Sequence, residues 1–502
     1  MLSLFVTLSL SASACDLGII GAGPGGAYVA WRYASENPSD SVCLFEQGTR
    51  VGGRVHSMRH QGPKRDLVVE AGAYRFAPNA SCFHFGNFTY CIDTPLTSAL
   101  ILDALKLPTK PYNPLPGQFD SLLVKIVDAN GHDAGYLTFV EAMATAPLPN
   151  LRVMFKHEAL SVASSSGDAS GDLTIKFANG AAESVHRLVF NVPQRPLLRI
   201  LGNSPSLFSG SAAPVWPAAL TYPLAYPIVK LYLHYEDAWW RNDLGFVSGH
   251  FNNSAMWKTN EGPMASDDCI AAKQEPYPVQ GTYHDADVRC DGPAPRACRG
   301  FLQAAYMGDV QAVRLYEEFH YNGNDSAVVL DPAARPDHKF LLAGVHASLV
   351  AVHEKVLKAK GMHVYERVRD LRPDTGVASI WSERAAGLEA GCHLPRVGPP
   401  LGKKAIPLKS IQPLGPRDPR ILVANEAFGT RECWAEGSLA MAENVAKRLG
   451  VPRPAWLPED VYAKIIFSEL EDAVPQALEE DARDPTYLSD LKFMEMHTSG
   501  RV

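Results

Sequence analysis

Apolar residues along the chain fall into short blocks, each closed by glycine, proline or a polar turn, and the spacing inside each block predicts its element. "DLGIIGAGPGGAYVAWRYA" opens as an apolar strand, passes through glycines and continues as a helix whose small residues suit close packing on a sheet. "SVCLFEQG" is a second strand ending at Glu46, and "LVVEAGAYRFAPN" an apolar run ending in Gly-Ala-Tyr-Arg. Past a proline-rich stretch around 108–117, residues 151–193 read as strand, strand, a hairpin through Asn179-Gly180 and another strand. "YPLAYPIVKLYLHYEDAWW", residues 222–240, alternates as a strand does, and "FLQAAYM" at 301–307 is another. The polar, cysteine-bearing stretch between them reads as an inserted loop. "FLLAGVHASLVAVHEKVLKAKGM" has helical periodicity, "ASIWSE" returns as a strand, and "ILVANEAFGTRECWAEGSLAMAENVAKRL" runs from a strand into a helix at 436–449. Residues 451–502 are proline-broken and acidic and read as a peripheral tail.

At 502 residues the chain exceeds the roughly 250–300 residues that one core supports, so two lobes are expected. Hydrophobic residues at 46%, with 39 Gly and 38 Pro, describe an ordered globular protein. A net charge of −7 without a basic block offers nucleic acid no positive stripe. The start, "MLSLFVTLSLSASAC", has the shape of a secretory signal cleaved after Ala14, though it lacks an early Lys or Arg, and its apolar run is shorter than the ~20 residues of a membrane span. Sequons at Asn79, Asn87, Asn252 and Asn324 are usable only in a secretory pathway, so a secreted, glycosylated protein is expected, with no transmembrane span. No pair of the nine cysteines has metal-ligand spacing, and no metal is expected. Cys82 with Cys91, and two of the trio Cys269, Cys290 and Cys298, are candidate disulfides in an exported chain.

"GAGPGG" sets Gly21, Gly23 and Gly26 in G-x-G-x-x-G spacing between strand and helix, the backbone needed to bring a pyrophosphate onto a helix N-terminus. Glu46 closes the second strand twenty residues beyond Gly26, where a carboxylate binds a ribose diol. "RVGGR" follows, two glycines for close passage of a bulky cofactor and two arginines to neutralise a diphosphate or steer a flavin edge.

"FEQGTRVGGRVHS" resembles the second cofactor segment of the flavin-dependent amine oxidase superfamily, which includes monoamine, polyamine and L-amino-acid oxidases. The resemblance covers most of residues 16–450 and is strongest at both ends. It implies FAD, held by Gly21, Gly23, Gly26, Glu46, Gln47, Arg54, Gly72, Ala73, Tyr74, Ala159, Glu426, Trp434 and Ala435. It makes Glu426 a ligand of the flavin's ribityl or phosphate groups, and Trp434 to Ser438 the Trp-x-x-Gly turn at the ring. "IVKLYLHYEDAWW" resembles the strand whose lysine holds a water against the flavin, which makes Lys230 catalytic. A plain strand lysine would instead snorkel to water. "GAYRF" resembles the L-amino-acid oxidase branch, in which Arg75 forks onto a substrate carboxylate. The other reading of Arg75 is an ion pair with a neighbour such as Glu70. Trp381, Cys392 and Trp434 are expected at the substrate face, with Cys392 either a covalent flavin tether or an ordinary buried cysteine. His157, His234 and His393 have no partner pattern and read as structural. The interval from residue 76 to 151 is shorter than the family's usual helical region.

The expected fold class is α/β, an FAD-binding Rossmann-like (GR2-type) domain interleaved with a mixed-sheet α+β substrate domain. Its cofactor segments are 15–92, 150–200 and 400–450, with a short helical segment at 93–149, a substrate domain at 201–399 and a tail at 451–502. The expected reaction is oxidative deamination of an L-amino acid to a 2-oxo acid, ammonia and hydrogen peroxide, with dioxygen as second substrate. An amine or polyamine oxidase, and a flavin-containing binding protein without turnover, are the alternatives. A homodimer is one admissible assembly.

Overall fold

The computed structural model describes residues 14–78, 81–85, 88–112, 122–164, 171–208, 218–253, 277–291, 298–317, 326–382, 390–394, 405–415 and 418–466. β1 (Cys15–Ile20) leads through the glycine turn into helix α1 (Pro24–Glu36), and β2 (Val42–Phe45) returns beside it. β1 pairs in parallel with β2 on one side and with the strand Ala182–Phe190 on the other. β2 continues in parallel to Leu151–Met154. Ala182–Phe190 takes Ile421–Val423 in parallel along its C-terminal half and Leu173–Phe177 antiparallel along its N-terminal half, across the hairpin at Asn179-Gly180. Three remote stretches of chain therefore build one seven-stranded sheet. β1, β2 and Ile421–Val423 are buried nearly throughout, as the central strands of a parallel sheet covered on both faces are.

α1 begins with Gly23 as N-cap and Pro24 at the first position, where a missing N–H costs nothing. A side chain at Gly26 would place its Cβ 2.0 Å from the Gly21 carbonyl, so only glycine lets the helix sit this close to the strand it follows. α1 packs against the helix Ala435–Arg448, and Glu443 of that helix accepts from Tyr28 (2.7 Å) and Arg32 (3.5 Å) inside the contact.

The second sheet is antiparallel and also seven-stranded, with Ile228–Tyr235 between Cys298–Met307 and Thr375–Trp381. Alternation in Ile228–Tyr235 sorts its side chains between two interiors rather than between core and water. Val229, Leu231, Leu233 and Tyr235 meet Leu341, Val345 and Leu349 of the helix Pro336–Lys360. On the other face, Tyr232 packs with Leu67 and Val69 of the hairpin Ser57–Gln61/Leu67–Glu70. That hairpin, projecting from the first sheet's chain, puts Lys230 indoors.

Two expectations need correction. The stretch read as an inserted loop contributes the strands Gln280–Thr282 and Val288–Cys290 to the second sheet, because each finds free edge positions along Cys298–Met307. The stretch read as a tail begins as structure: Val451, Leu457 and Ile465 are buried, Arg32 donates to the Pro452 carbonyl at 2.6 Å, and Glu459–Ile465 is helical. Residues 467–502 lie outside the described residues. The 25-residue helix Pro336–Lys360 is long and apolar enough to cross a bilayer by length and composition, yet half of its most apolar window is buried within the protein. The expected signal segment and the sequons at Asn79, Asn87 and Asn324 fall outside the described residues, whereas Asn252 is exposed on the sheet-edge strand His250–Asn252.

Candidate functional site

An open cleft of about 1480 Å³, counting the solvent at its mouth, runs between the ends of the parallel strands and the second sheet. At one end it is lined by Gly21, Gly23 and Pro24 at the start of α1, where the first N–H groups of the helix have no side-chain cap. Such a terminus favours an anion through its free N–H groups and its dipole. Glu46, at the end of β2, lines the same end. Its Oε2 accepts from the Ala22 N–H at 3.0 Å and its Oε1 from the Gly48 N–H at 2.8 Å. Burial pushes its carboxyl up, partly offset by those N–H groups. Asn191, one residue past the strand Ala182–Phe190, ties the turn to the rest of the site. It donates to the Gly21 carbonyl at 3.2 Å and accepts from Asn425 and Ser438 at 3.4 Å each.

The segment Glu70–Ala71–Gly72 joins the two sheets. Gly72 and Ala73 donate back to His56 and Arg54 at 3.0 Å each. The second sheet takes the carbonyls of the same segment: Lys230 Nζ donates to Gly72 (2.5 Å) and Glu70 (3.2 Å), Tyr232 to Glu70 (3.0 Å), and Ser379 and Trp381 to Ala71 at 2.7 and 2.8 Å. Lys230 is 3% exposed, which excludes snorkelling. Its Nζ stands 3.8 Å from the Tyr74 ring centre and 4.9 Å from that of Tyr306. Burial pulls its pKa down to about 7 against the opposing pull of Asp285 and Glu70. Burial likewise pushes Glu70 up to about 7, although it accepts from Ser57 Oγ and the Tyr136 N–H at 2.7 Å each.

A third cluster closes the wall beyond Lys230. Glu426, 4% exposed, opens a short 3-10 turn beyond the strand Ile421–Val423, and its carboxylate meets Arg54 Nη1 at 2.8 Å. It also accepts from the His393 and Cys433 N–H groups at 3.1 and 2.9 Å and lies 3.2 Å from His393 Nδ1. Burial alone would raise its pKa, but Arg54, His393 and the Cys433 N–H bring it down to about 2.

Of the expected cofactor residues, Gly21, Gly23, Glu46, Gln47, Arg54, Gly72, Ala73, Ala159, Glu426, Trp434 and Ala435 line the cleft, as do Lys230, Trp381 and Cys392. Gly26, Tyr74 and Arg75 are not among its lining residues. Gly26 acts through packing, and Tyr74 stands behind the wall with its hydroxyl 3.3 Å from Asp285. The Arg75 guanidinium lies 4.8 and 5.1 Å from the Tyr74 and Tyr112 ring centres. Cys392 is neither a free thiol nor a flavin tether here: it is disulfide-bonded to Cys433, because the loop before Ala435–Arg448 folds back onto the strand Cys392–Leu394. Cys290 with Cys298, a pair from the expected trio, is also bonded, and Cys15 with Cys43 is a third pair across β1 and β2. Cys82 and Cys91 face each other in backbone register across a hairpin. His157 lines the cleft and His393 supports Glu426, two roles without a signature in spacing. Glu436, within the expected Trp-x-x-Gly turn, accepts from the Leu96 and Thr97 N–H groups (3.0 and 2.8 Å) and caps the helix Pro95–Ala99 from another part of the chain. On the second sheet, His234, Glu236 and Asp374 bring one ligating atom each within 4.8 Å of one another, but Asp374 already accepts from the Glu236 N–H at 3.1 Å.

Taken together, the parallel sheet, the glycine turn at a helix start and the strand-end carboxylate define a dinucleotide-binding protein of Rossmann type. Residues 19–85, which hold the turn, Glu46 and the Gly-Ala-Tyr-Arg segment, match the family model described as an NAD(P)-binding Rossmann-like domain. That match supports oxidoreductase chemistry with a dinucleotide cofactor. Comparison with curated proteins gives no match.

Proposed function

We propose that the protein is an FAD-dependent oxidase acting on a carbon–nitrogen bond, with an L-α-amino acid as substrate. The observation that carries this reading is the continuity of the cleft from Gly21 and Glu46 to Lys230, Trp381 and Trp434. It would hold the pyrophosphate at the start of α1 and a ring system against the second sheet within one protein. Glu46 suits an unmodified ribose and would repel a 2′-phosphate, which disfavours an NADP-type nucleotide. FAD, when bound, supplies hydride acceptance from the substrate carbon and electron transfer to dioxygen, giving hydrogen peroxide.

The chain's own residues supply position and charge. The aromatic wall of Tyr306, Trp381 and Trp434 excludes water and orients an apolar substrate body. Lys230, whose pKa burial lowers to about 7, is held by the Gly72 and Glu70 carbonyls, and in its charged form it would place positive charge at the end of the cleft against the second sheet. In the amino-acid reading, Arg75 would fork onto the substrate carboxylate. Its placement against Tyr74 and Tyr112, off the lining of the cleft, favours a second reading, an amine or polyamine oxidase in which Arg75 is structural. The disulfides and the sequons fit a secreted protein.

Purified protein is expected to carry flavin absorbance and to release peroxide with a member of a panel of twenty amino acids and common amines. Arg75→Ala separates the two readings: a raised KM for amino acids alone supports the first, and unchanged turnover of every substrate supports the second. Protein that is colourless and does not take up added FAD ends both.

A further inference from the structure

Among the disulfides of the described residues, Cys392–Cys433 differs from the other two in where it sits. Both of its residues line the cofactor cleft. Cys15–Cys43 is sealed inside the first sheet, 0% exposed at both residues. Cys290–Cys298 joins two neighbouring strands of the second sheet, and neither residue lines the cleft. Within the cleft pair, Cys392 is 1% exposed, whereas Cys433 is partly exposed.

The bond closes a specific piece of wall. Cys433 has a φ of 66°, a conformation that residues other than glycine adopt rarely, and directly precedes Trp434, the N-cap of Ala435–Arg448. The Glu426 carboxylate takes N–H groups from Cys433 and from His393, the neighbour of Cys392. Carboxylate and disulfide therefore bridge the same two segments. With the sulfur bridge open, the carboxylate still joins them, while Cys433 is free to leave its unfavourable backbone region and take Trp434 with it.

Resting on the reading of this cleft as a dinucleotide site, we infer that Cys392–Cys433 is a thiol–disulfide exchange site opening into the cleft, reached by a small dithiol and shielded by a bound dinucleotide. Access selects Cys433 as the sulfur attacked. One thiolate of the dithiol bonds to Cys433 Sγ, the protein S–S bond breaks, and its electron pair leaves on Cys392 Sγ, which takes a proton. The second thiolate of the reagent then attacks its own sulfur in the mixed disulfide and expels Cys433 as a thiolate, which is protonated. Two electrons and two protons pass to the protein, and the reagent ends as a cyclic disulfide. Because the wall binds the nucleotide best when closed, reduction weakens binding and binding opposes reduction by the same factor.

The test uses the full chain in two forms, cofactor-stripped and saturated with FAD, with binding verified by quenching of flavin fluorescence. Each is treated with graded dithiothreitol, alkylated with iodoacetamide and mapped by peptide mass spectrometry, with Cys290 and Cys298 as the internal control for reduction. Cys392 and Cys433 are expected to label together in the stripped form and about tenfold less in the FAD form, and the FAD Kd is expected to rise about tenfold on reduction. A Cys392→Ser/Cys433→Ser double variant is expected to match the reduced protein, and the reduced, alkylated wild type gives the same readout if that variant does not fold. Equal labelling with FAD demonstrably bound, or label on the control pair but not on the cleft pair in the stripped form, overturns the inference alone. FAD that fails to bind the oxidised protein overturns the proposed function and this inference with it.

Discussion

Replacing Glu426 by Gln tests how much the buried ion pair at the cleft wall holds the two sheets' segments together. The carboxylate is 4% exposed and takes Arg54 at 2.8 Å together with the His393 and Cys433 N–H groups. Its pKa moves from 4.5 to about 2, despite burial that pushes the other way. At about 1.36 kcal/mol per unit, this preference for the charged form is worth roughly 3 kcal/mol near pH 7. Breaking a buried pair from one side costs about 3–5 kcal/mol, since Arg54 keeps its charge without a counterion. Both routes give a loss of about 3 kcal/mol, read as a lowered urea midpoint. The sign of the pH dependence follows from the lowered pKa. The contribution is fully present above pH 4.5, fades as pH falls toward 2 and is absent below it. Urea unfolding of wild type and Glu426→Gln at steps from pH 7 to pH 3 is the assay. A difference below about 1 kcal/mol at pH 7, or one that stays constant down to pH 3, refutes the assignment.

Gly72→Ala is expected to cost about 1–3 kcal/mol and to weaken cofactor uptake, because its Cβ would stand 2.1 Å from the Arg54 carbonyl and 2.6 Å from the His56 nitrogen, and backbone cannot yield as a side-chain end would; urea unfolding and flavin titration read both effects. Lys230→Met is expected to lower peroxide-forming turnover about 10²-fold, the order seen when one preorganised charge is removed, without lowering the urea midpoint at pH 7. Because the Lys230 pKa is lowered to about 7, the unfolded chain holds more protons than the folded one above that pH, so wild type is expected to gain stability relative to Lys230→Met as pH rises from 7 toward 10. Unfolding curves at pH 7 and pH 9.5 that move in parallel for the two proteins would contradict it.

What could be read from residue order was local. The glycine turn, the strand-ending Glu46 and the Asn179-Gly180 hairpin depend on backbone conformation over a few residues, and there the pattern of apolar and turn residues carries the information. The alternation of Ile228–Tyr235 revealed a strand but not that both of its faces are buried, because the apolar period reports side-chain direction and says nothing of what covers each side. Lys230 became a buried group only when the Ser57–Glu70 hairpin closed over it. Arg75 came to rest against Tyr74 and Tyr112 rather than on the cleft lining, and Glu426 found Arg54 at the other end of the chain. The pairing of Cys392 with Cys433 and the capping of Pro95–Ala99 by Glu436 likewise join distant segments. Such contacts are decided by which strands become neighbours in a sheet, a property of the whole chain's packing and loop closure, and no window of sequence around either partner contains it.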